Sequence, residues 1–290
     1  MDIMQAPTLL CIGYGYSAQV FADRMAREGW RIAATARDAD KAAALRAQGI
    51  DAHAWPPDAL LNDLPPRTHL LLSAPPGEAG DPVLARYREA LLAQRDRLAW
   101  VGYLSTTAVY GDRQGGWVDE TSALTPASER GKRRVAAERD WLALAEAGLP
   151  VHTFRLAGIY GPGRGPFEKI RRGTVQRIFK EGQVFGRIHV EDIATVLHAS
   201  IAQPAPGTAY NVTDDLTCPP QDVIGHAADL LGLPRPPLVD FDKAEMSPMA
   251  RSFYGENKRV SNERIKDQLG VTLAYPTYRE GLAAIQAAEA

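Results

Sequence analysis

Short apolar runs recur along the chain and alternate with stretches of helical period. Thr8 to Ile12, Ile32 to Ala36, His69 to Ser73, Trp100 to Ser105 and Val151 to Leu156 are the runs. A run such as His-Leu-Leu-Leu-Ser is apolar throughout rather than alternating, the pattern of a strand covered on both faces in a parallel sheet. The intervening segments read as helices. Ser17–Glu28 carries Val20, Phe21 and Met25 on one face and is closed by Gly29. Asp40–Gln48 is closed by Gly49, and Pro82–Leu98 sets Tyr87, Leu91, Leu92 and Leu98 along one stripe. Arg130–Ala147, Val190–Ile201, Pro219–Leu231 and an Ala-rich C-terminal segment complete the set. His53–Trp55 reads as a short strand and Ala59–Asn62 as a short helix between two proline pairs. Strand, helix and strand within the first 36 residues is the minimal parallel unit.

Composition narrows the class. The 290 residues suffice for one large domain or two modest ones. A net charge of −2 gives no electrostatic case for nucleic acid or an anionic membrane. No apolar run approaches a membrane span, and no signal peptide is evident at the N-terminus. Cys11 and Cys218 are far apart, with neither metal-ligand nor disulfide spacing, so a reducing cytoplasm is the expected setting and no metal site is indicated.

The first strand runs into Gly13-Tyr14-Gly15-Tyr16-Ser17-Ala18, a G-x-G-x-x-A loop opening a helix. Gly13 serves the tight turn, Gly15 lets backbone approach a pyrophosphate, and Ala18 allows close helix–strand packing. The amides of the helix start, around Tyr16 and Ser17, face the anion. The second strand ends on Ala36, where an NAD site usually carries an acid for the ribose 2′-hydroxyl, and Arg37 follows. Missing acid and added guanidinium favour NADP(H) over NAD, because Arg37 can pair with a 2′-phosphate. A small shift in register would instead make Asp38 the ribose ligand. Ser73, Ala74 and Pro75 end the His69–Ser73 strand, on the side where ligands meet a doubly wound sheet.

Four further motifs carry a resemblance. Tyr103-Leu104-Ser105-Thr106-Thr107-Ala108-Val109-Tyr110-Gly111, Arg155-Leu156-Ala157-Gly158-Ile159-Tyr160-Gly161-Pro162, Arg187-Ile188-His189-Val190-Glu191-Asp192 and Tyr210-Asn211-Val212 follow in order. Together with the glycine loop they resemble the extended short-chain dehydrogenases of the nucleotide-sugar epimerase and dehydratase group. The resemblance covers nearly the whole chain. It implies an α/β fold, a doubly wound parallel Rossmann sheet with a small mixed C-terminal substrate subdomain. Residues 1–165 would form the NADP-binding domain, completed by about 187–212, with 166–186 and 213–290 as the substrate subdomain. Ala157 falls among the cofactor contacts the resemblance implies. It also implies a homodimer through the helices at Pro82–Leu98 and Arg130–Ala147.

The same resemblance implies a Ser/Thr, Tyr and Lys trio. The hydroxyl position is Thr106. Pro126, Gly131 and Glu138 fit the family spacing, but the Tyr position holds Arg130 and the Lys position Arg134. Reading Lys132 as the lysine would break the Gly131 and Glu138 matches. Arg134 can remain a fixed cation on the ribose. Arg130 is a poor general acid, since its pKa lies far above working pH, but it can stabilise an oxyanion or hold an anionic group. This combination resembles the atypical YeeZ-like branch. Tyr160 is the remaining candidate proton donor. The expected function is an NADP(H)-binding oxidoreductase-type enzyme acting on a small polar substrate, anionic or nucleotide-sugar-like. The alternative is a non-catalytic NADP(H) redox sensor or scaffold.

Overall fold

The computed structural model describes residues 6–57, 60–61 and 63–289. Of the short helix expected at Ala59–Asn62, Ala59 and Asn62 lie outside the described residues, and Leu60 and Leu61 form a turn. Element order follows the apolar runs: β1 (Thr8–Ile12), α1 (Tyr16–Arg27), β2 (Arg31–Ala36), α2 (Ala39–Arg46), β3 (Asp51–Ala54), β4 (Thr68–Leu72), α3 (Pro82–Ala93), β5 (Leu98–Thr106) and α4 (Glu129–Glu146). Strands Val151–Leu156 and Ala209–Val212 complete a seven-stranded parallel sheet. Its spatial order is β3, β2, β1, β4, β5, Val151–Leu156, Ala209–Val212. The order reverses between β1 and β4, which pair in register from Thr8 with Thr68 to Ile12 with Leu72. That is the switch point at which doubly wound sheets bind ligands.

Every residue of β1, β4 and Val151–Leu156 is buried, including His152, Thr153 and Arg155 of the last. The expected helix Pro82–Leu98 is shorter than its stripe. It ends at Ala93 because Gln94 turns back, accepting from the Leu64 amide and donating to the Leu61 carbonyl, both at 2.7 Å. Leu98 is buried all the same, as the first residue of β5. On α4 the buried face is Ala137, Glu138, Trp141 and Leu144, whereas Val135 and Leu142 are half-exposed.

The chain divides into two units. The first comprises residues up to Ser105, Arg133–Arg155 and Val196–Tyr210. Its core lies around Leu10, Leu70, Val101, Tyr103 and Trp141. The second comprises Thr106–Lys132, Leu156–Thr195 and the chain from Asn211 onward. It has its own core around Phe167, Ala227, Tyr278 and Leu282, and three two-stranded pairings. The unit boundaries cut β5 and the two last sheet strands near their carboxyl ends. Among the described residues no helix is long and apolar enough to cross a membrane, and no group of three His, Cys, Asp or Glu side chains could hold a metal ion.

Candidate functional site: a dinucleotide loop and its companion residues

In the first unit the glycine loop leaves β1 at the switch point. Gly13 has φ +88°, and a Cβ there would stand 2.9 Å from Ser73 Oγ and 3.1 Å from the Ala74 nitrogen. Only glycine fits without strain or collision. The loop is held on both sides. The Gly13 amide donates to Thr35 Oγ1 at 2.9 Å, the Tyr14 amide to the Thr35 carbonyl at 3.2 Å, and the Ser73 hydroxyl to the Gly13 carbonyl. Thr35 sits one residue before the end of β2, a contribution the motif alone does not reveal. Gly15 is the N-cap of α1 and supplies no side-chain cap, and open space surrounds its missing Cβ. The first turn, with Tyr16 and Ser17, contains no acid. A helix start without a side-chain cap, a positive helix end and a clear approach suit an anionic group.

At the end of β2, Arg37 is exposed and has no hydrogen-bond or ionic partner among the described residues. Asp38 is the N-cap of α2 and accepts the Lys41 amide at 2.8 Å. Its carboxylate therefore has a structural task, capping the helix. Ser73 and Ala74 are half-buried and Pro75 exposed, directly after β4. Arg134, on α4, is fixed against β5. Its Nη1 donates to the Leu104 carbonyl at 2.5 Å and the Tyr103 hydroxyl at 3.1 Å. Below it lies a group the sequence flagged only as spacing. Glu138 and Arg155 form a buried ion pair at 2.9 Å, and the Ser105 hydroxyl donates to the same carboxylate. This pair ties α4 to two adjacent sheet strands near their carboxyl ends.

The second unit holds the other predicted residues. Thr106 ends β5, and its hydroxyl accepts the Ala108 amide at 3.3 Å. The first turn of α4 packs on the same short turn, since a Cβ at Gly131 would meet Pro126 and the Ala108 carbonyl. Arg130 is exposed, with its guanidinium over the Phe253 ring at 5.0 Å. Ala157 is buried, its amide donating to the Val212 carbonyl at 3.0 Å. Tyr160 is buried, donates to the Thr277 carbonyl at 3.3 Å and packs edge-on to His189. Burial pushes its phenol well above the usual range, with Asp214 and Asp192 adding to the rise. Tyr110 is also engaged, donating to Asn211 Oδ1 at 2.6 Å. Asp192 accepts the Ala274 and Tyr275 amides, a structural role.

The NAD dependent epimerase/dehydratase family model matches residues 88–213, a span that contains β5, α4 and Tyr160. Over that stretch the chain is similar to this family. The chain is 28% identical over 283 residues to the protein YeeZ of Escherichia coli K12, covering 91% of this chain and 95% of that one. A functionally unknown conserved protein from Silicibacter pomeroyi DSS is 56% identical, with a TM-score of 0.89 over 98% of this chain and 99% of that one. The dTDP-glucose 4,6-dehydratase of Bacillus anthracis, solved with NAD, shares the fold at TM-score 0.73 and 16% identity, over 97% of this chain and 96% of that one.

Proposed function

We propose that the protein is an NADP(H)-binding, oxidoreductase-type enzyme acting on a small anionic substrate with an atypical catalytic set. The observation that carries this reading is the end of β2. Ala36 offers no acid, Asp38 is spent on capping α2, and Arg37 stands free. An acid there would repel a 2′-phosphate, whereas a free guanidinium attracts it. The family-model match over residues 88–213 and the NAD-bound dehydratase of the same fold support a nicotinamide dinucleotide. The Gly13 turn and the open approach at Gly15 suit its pyrophosphate.

When bound, the nicotinamide supplies or accepts the hydride. The chain's own residues have separate tasks. Arg134 gives a fixed cation for the ribose. Thr106 donates a hydrogen bond to the substrate oxygen that changes oxidation state. Arg130 supplies positive charge where the family has tyrosine, and swings from Phe253 to do so. Assembly as a homodimer through α3 and α4 belongs to the same family reading, and sedimentation then gives twice the 31.5 kDa chain mass.

One observation favours the second reading, a non-catalytic NADP(H) sensor or scaffold. The candidate proton donor, Tyr160, is engaged with Thr277 and resists ionisation. Turnover decides between them. NADPH oxidation over a panel of carbonyl acids and sugar nucleotides is expected to fall by about tenfold or more in Thr106→Ala. Full activity in the Thr106→Ala, Arg130→Ala double variant contradicts the enzyme roles. NADPH binding with no turnover on any substrate supports the sensor.

A further inference from the structure

The second unit contains a cavity of about 280 Å³. Ile178, Val223 and Leu282 and the rings of Tyr160, Tyr254 and Tyr278 wall it, and Arg187 supplies its charge. Arg187 Nη1 donates to the Phe185 carbonyl at 3.0 Å and to Cys218 Sγ at 3.2 Å. Its Nε and Nη2 have no partner among the described residues, and no carboxylate lies within ion-pair distance. A half-buried guanidinium with an open edge among apolar walls is an incomplete arrangement. Burying a charge is costly until an opposite charge and hydrogen bonds complete it.

We infer that this cavity binds a small monoanion with an apolar body, its carboxylate held on the free edge of Arg187 and its apolar part against the tyrosine rings. The planar guanidinium edge matches a carboxylate bidentately. The walls supply the transfer energy for the rest. A nucleotide diphosphate is a poorer match, since its charges exceed the single cation the cavity presents. The inference rests on the enzyme reading only in taking this ligand as the substrate.

A second group makes the site pH-sensitive. Asp214 is buried, and neither of its carboxylate oxygens has a hydrogen-bond partner. Its amide donates to the Arg187 carbonyl at 2.6 Å, so the two residues are backbone neighbours. The groups around it are Arg187 from strand Arg187–His189, Tyr160 from strand Gly158–Tyr160, and Asp215 and Cys218 from its own loop. Burial pushes its carboxyl up to about 7, against the pull of Arg187. Ionised, Asp214 offsets the Arg187 charge. Protonated, it leaves that charge to the ligand. Carboxylate binding therefore tightens as pH falls from about 8 to about 6, with proton uptake.

The test is calorimetry on the full chain without dinucleotide, using 3-phenylpropionate and octanoate as probes. Their amides and UDP-glucose are the controls. We expect each carboxylate to bind at least about tenfold tighter than its amide, a preference lost in Arg187→Gln. Asp214→Asn removes the pH dependence. Val223→Phe, which narrows the cavity from its apolar side, weakens both probes if Arg187→Gln proves unstable. Three results overturn the inference: equal affinity for acid and amide, no carboxylate binding up to about 10 mM, or UDP-glucose binding that Arg187→Gln abolishes. A parallel NADPH titration separates the two readings. NADPH bound without carboxylate overturns the cavity assignment alone, and carboxylate bound without NADPH overturns the cofactor assignment alone.

Discussion

The glycine loop of the first unit and the proposed catalytic positions of the second are built from different materials. The loop is backbone: a left-handed glycine, two amides on Thr35, and a bare helix start at Gly15. The catalytic positions are side chains, and three of them are already engaged. Thr106 caps a turn, Arg130 lies over Phe253, and Tyr160 holds the Thr277 carbonyl. Backbone geometry is fixed by the fold and leaves little freedom to a replaced side chain. Side-chain chemistry can be substituted while the fold persists. On the proposed reading, that is how a chain keeps a nucleotide loop while Arg130 and Arg134 stand at the positions of the tyrosine and lysine.

The comparison breaks most visibly at the support behind the loop. Removing one partner of the buried Glu138–Arg155 pair leaves an uncompensated charge, so Glu138→Ala should cost about 3–5 kcal/mol in thermal or denaturant unfolding. A loss under about 1 kcal/mol would mean the pair is dispensable.

The loop itself comes next. Gly13→Val forces a branched residue into φ +88° and against Ala74, at a cost of about 1–3 kcal/mol, and NADPH affinity should fall with it. Gly15→Ala sharpens the distinction. Open space at Gly15 predicts a normal melting temperature but weaker NADPH binding, because the new methyl occupies the approach. Unchanged affinity in Gly15→Ala would remove that loop from the cofactor site.

The mildest effect is silent at neutral pH. Burial lowers His69, His152 and His189 to about 4 each. Between about 6.5 and 4 the unfolded chain therefore binds more protons than the folded one. In Asp214→Asn, which removes the opposing proton uptake near pH 7, stability should be flat near pH 7.5 and decline as pH falls through that window, as melting curves across pH would record. A stability that rises on acidification from 6.5 to 4 would contradict it.

Much of the fold was legible because parallel sheets leave unbroken apolar runs and glycine closes their helices. The misses have physical causes. The end of α3 depends on Gln94 reaching Leu61 and Leu64, some thirty positions earlier, which no local stripe records. Strand Trp117–Val118 pairs with Arg259–Val260, a partner far along the chain, and both are two residues long. Helix Pro248–Phe253 buries none of its own residues, so it has no stripe to read. At the site, Gly13, Gly15 and Arg37 were legible from motif and spacing. The role of Thr35 was not, since a threonine within a strand has no signature. Glu138 was visible only as a spacing match, and its partner Arg155 only as a motif residue. Asp214 and Arg187 gave one weak signal, an acid pair directly after the last sheet strand. Their relation emerges only when strand Arg187–His189 meets that loop.

The account turns on what Arg37 recognises. Titration of the purified protein and its Arg37→Ala variant with NADPH, NADP⁺, NADH and NAD⁺ by calorimetry tests this directly. We predict a clear preference for the phosphorylated pair in the wild type, reduced by about tenfold or more in the variant, with NAD(H) affinity unchanged. Preference for NAD(H), or NADP(H) binding indifferent to Arg37→Ala, would contradict it.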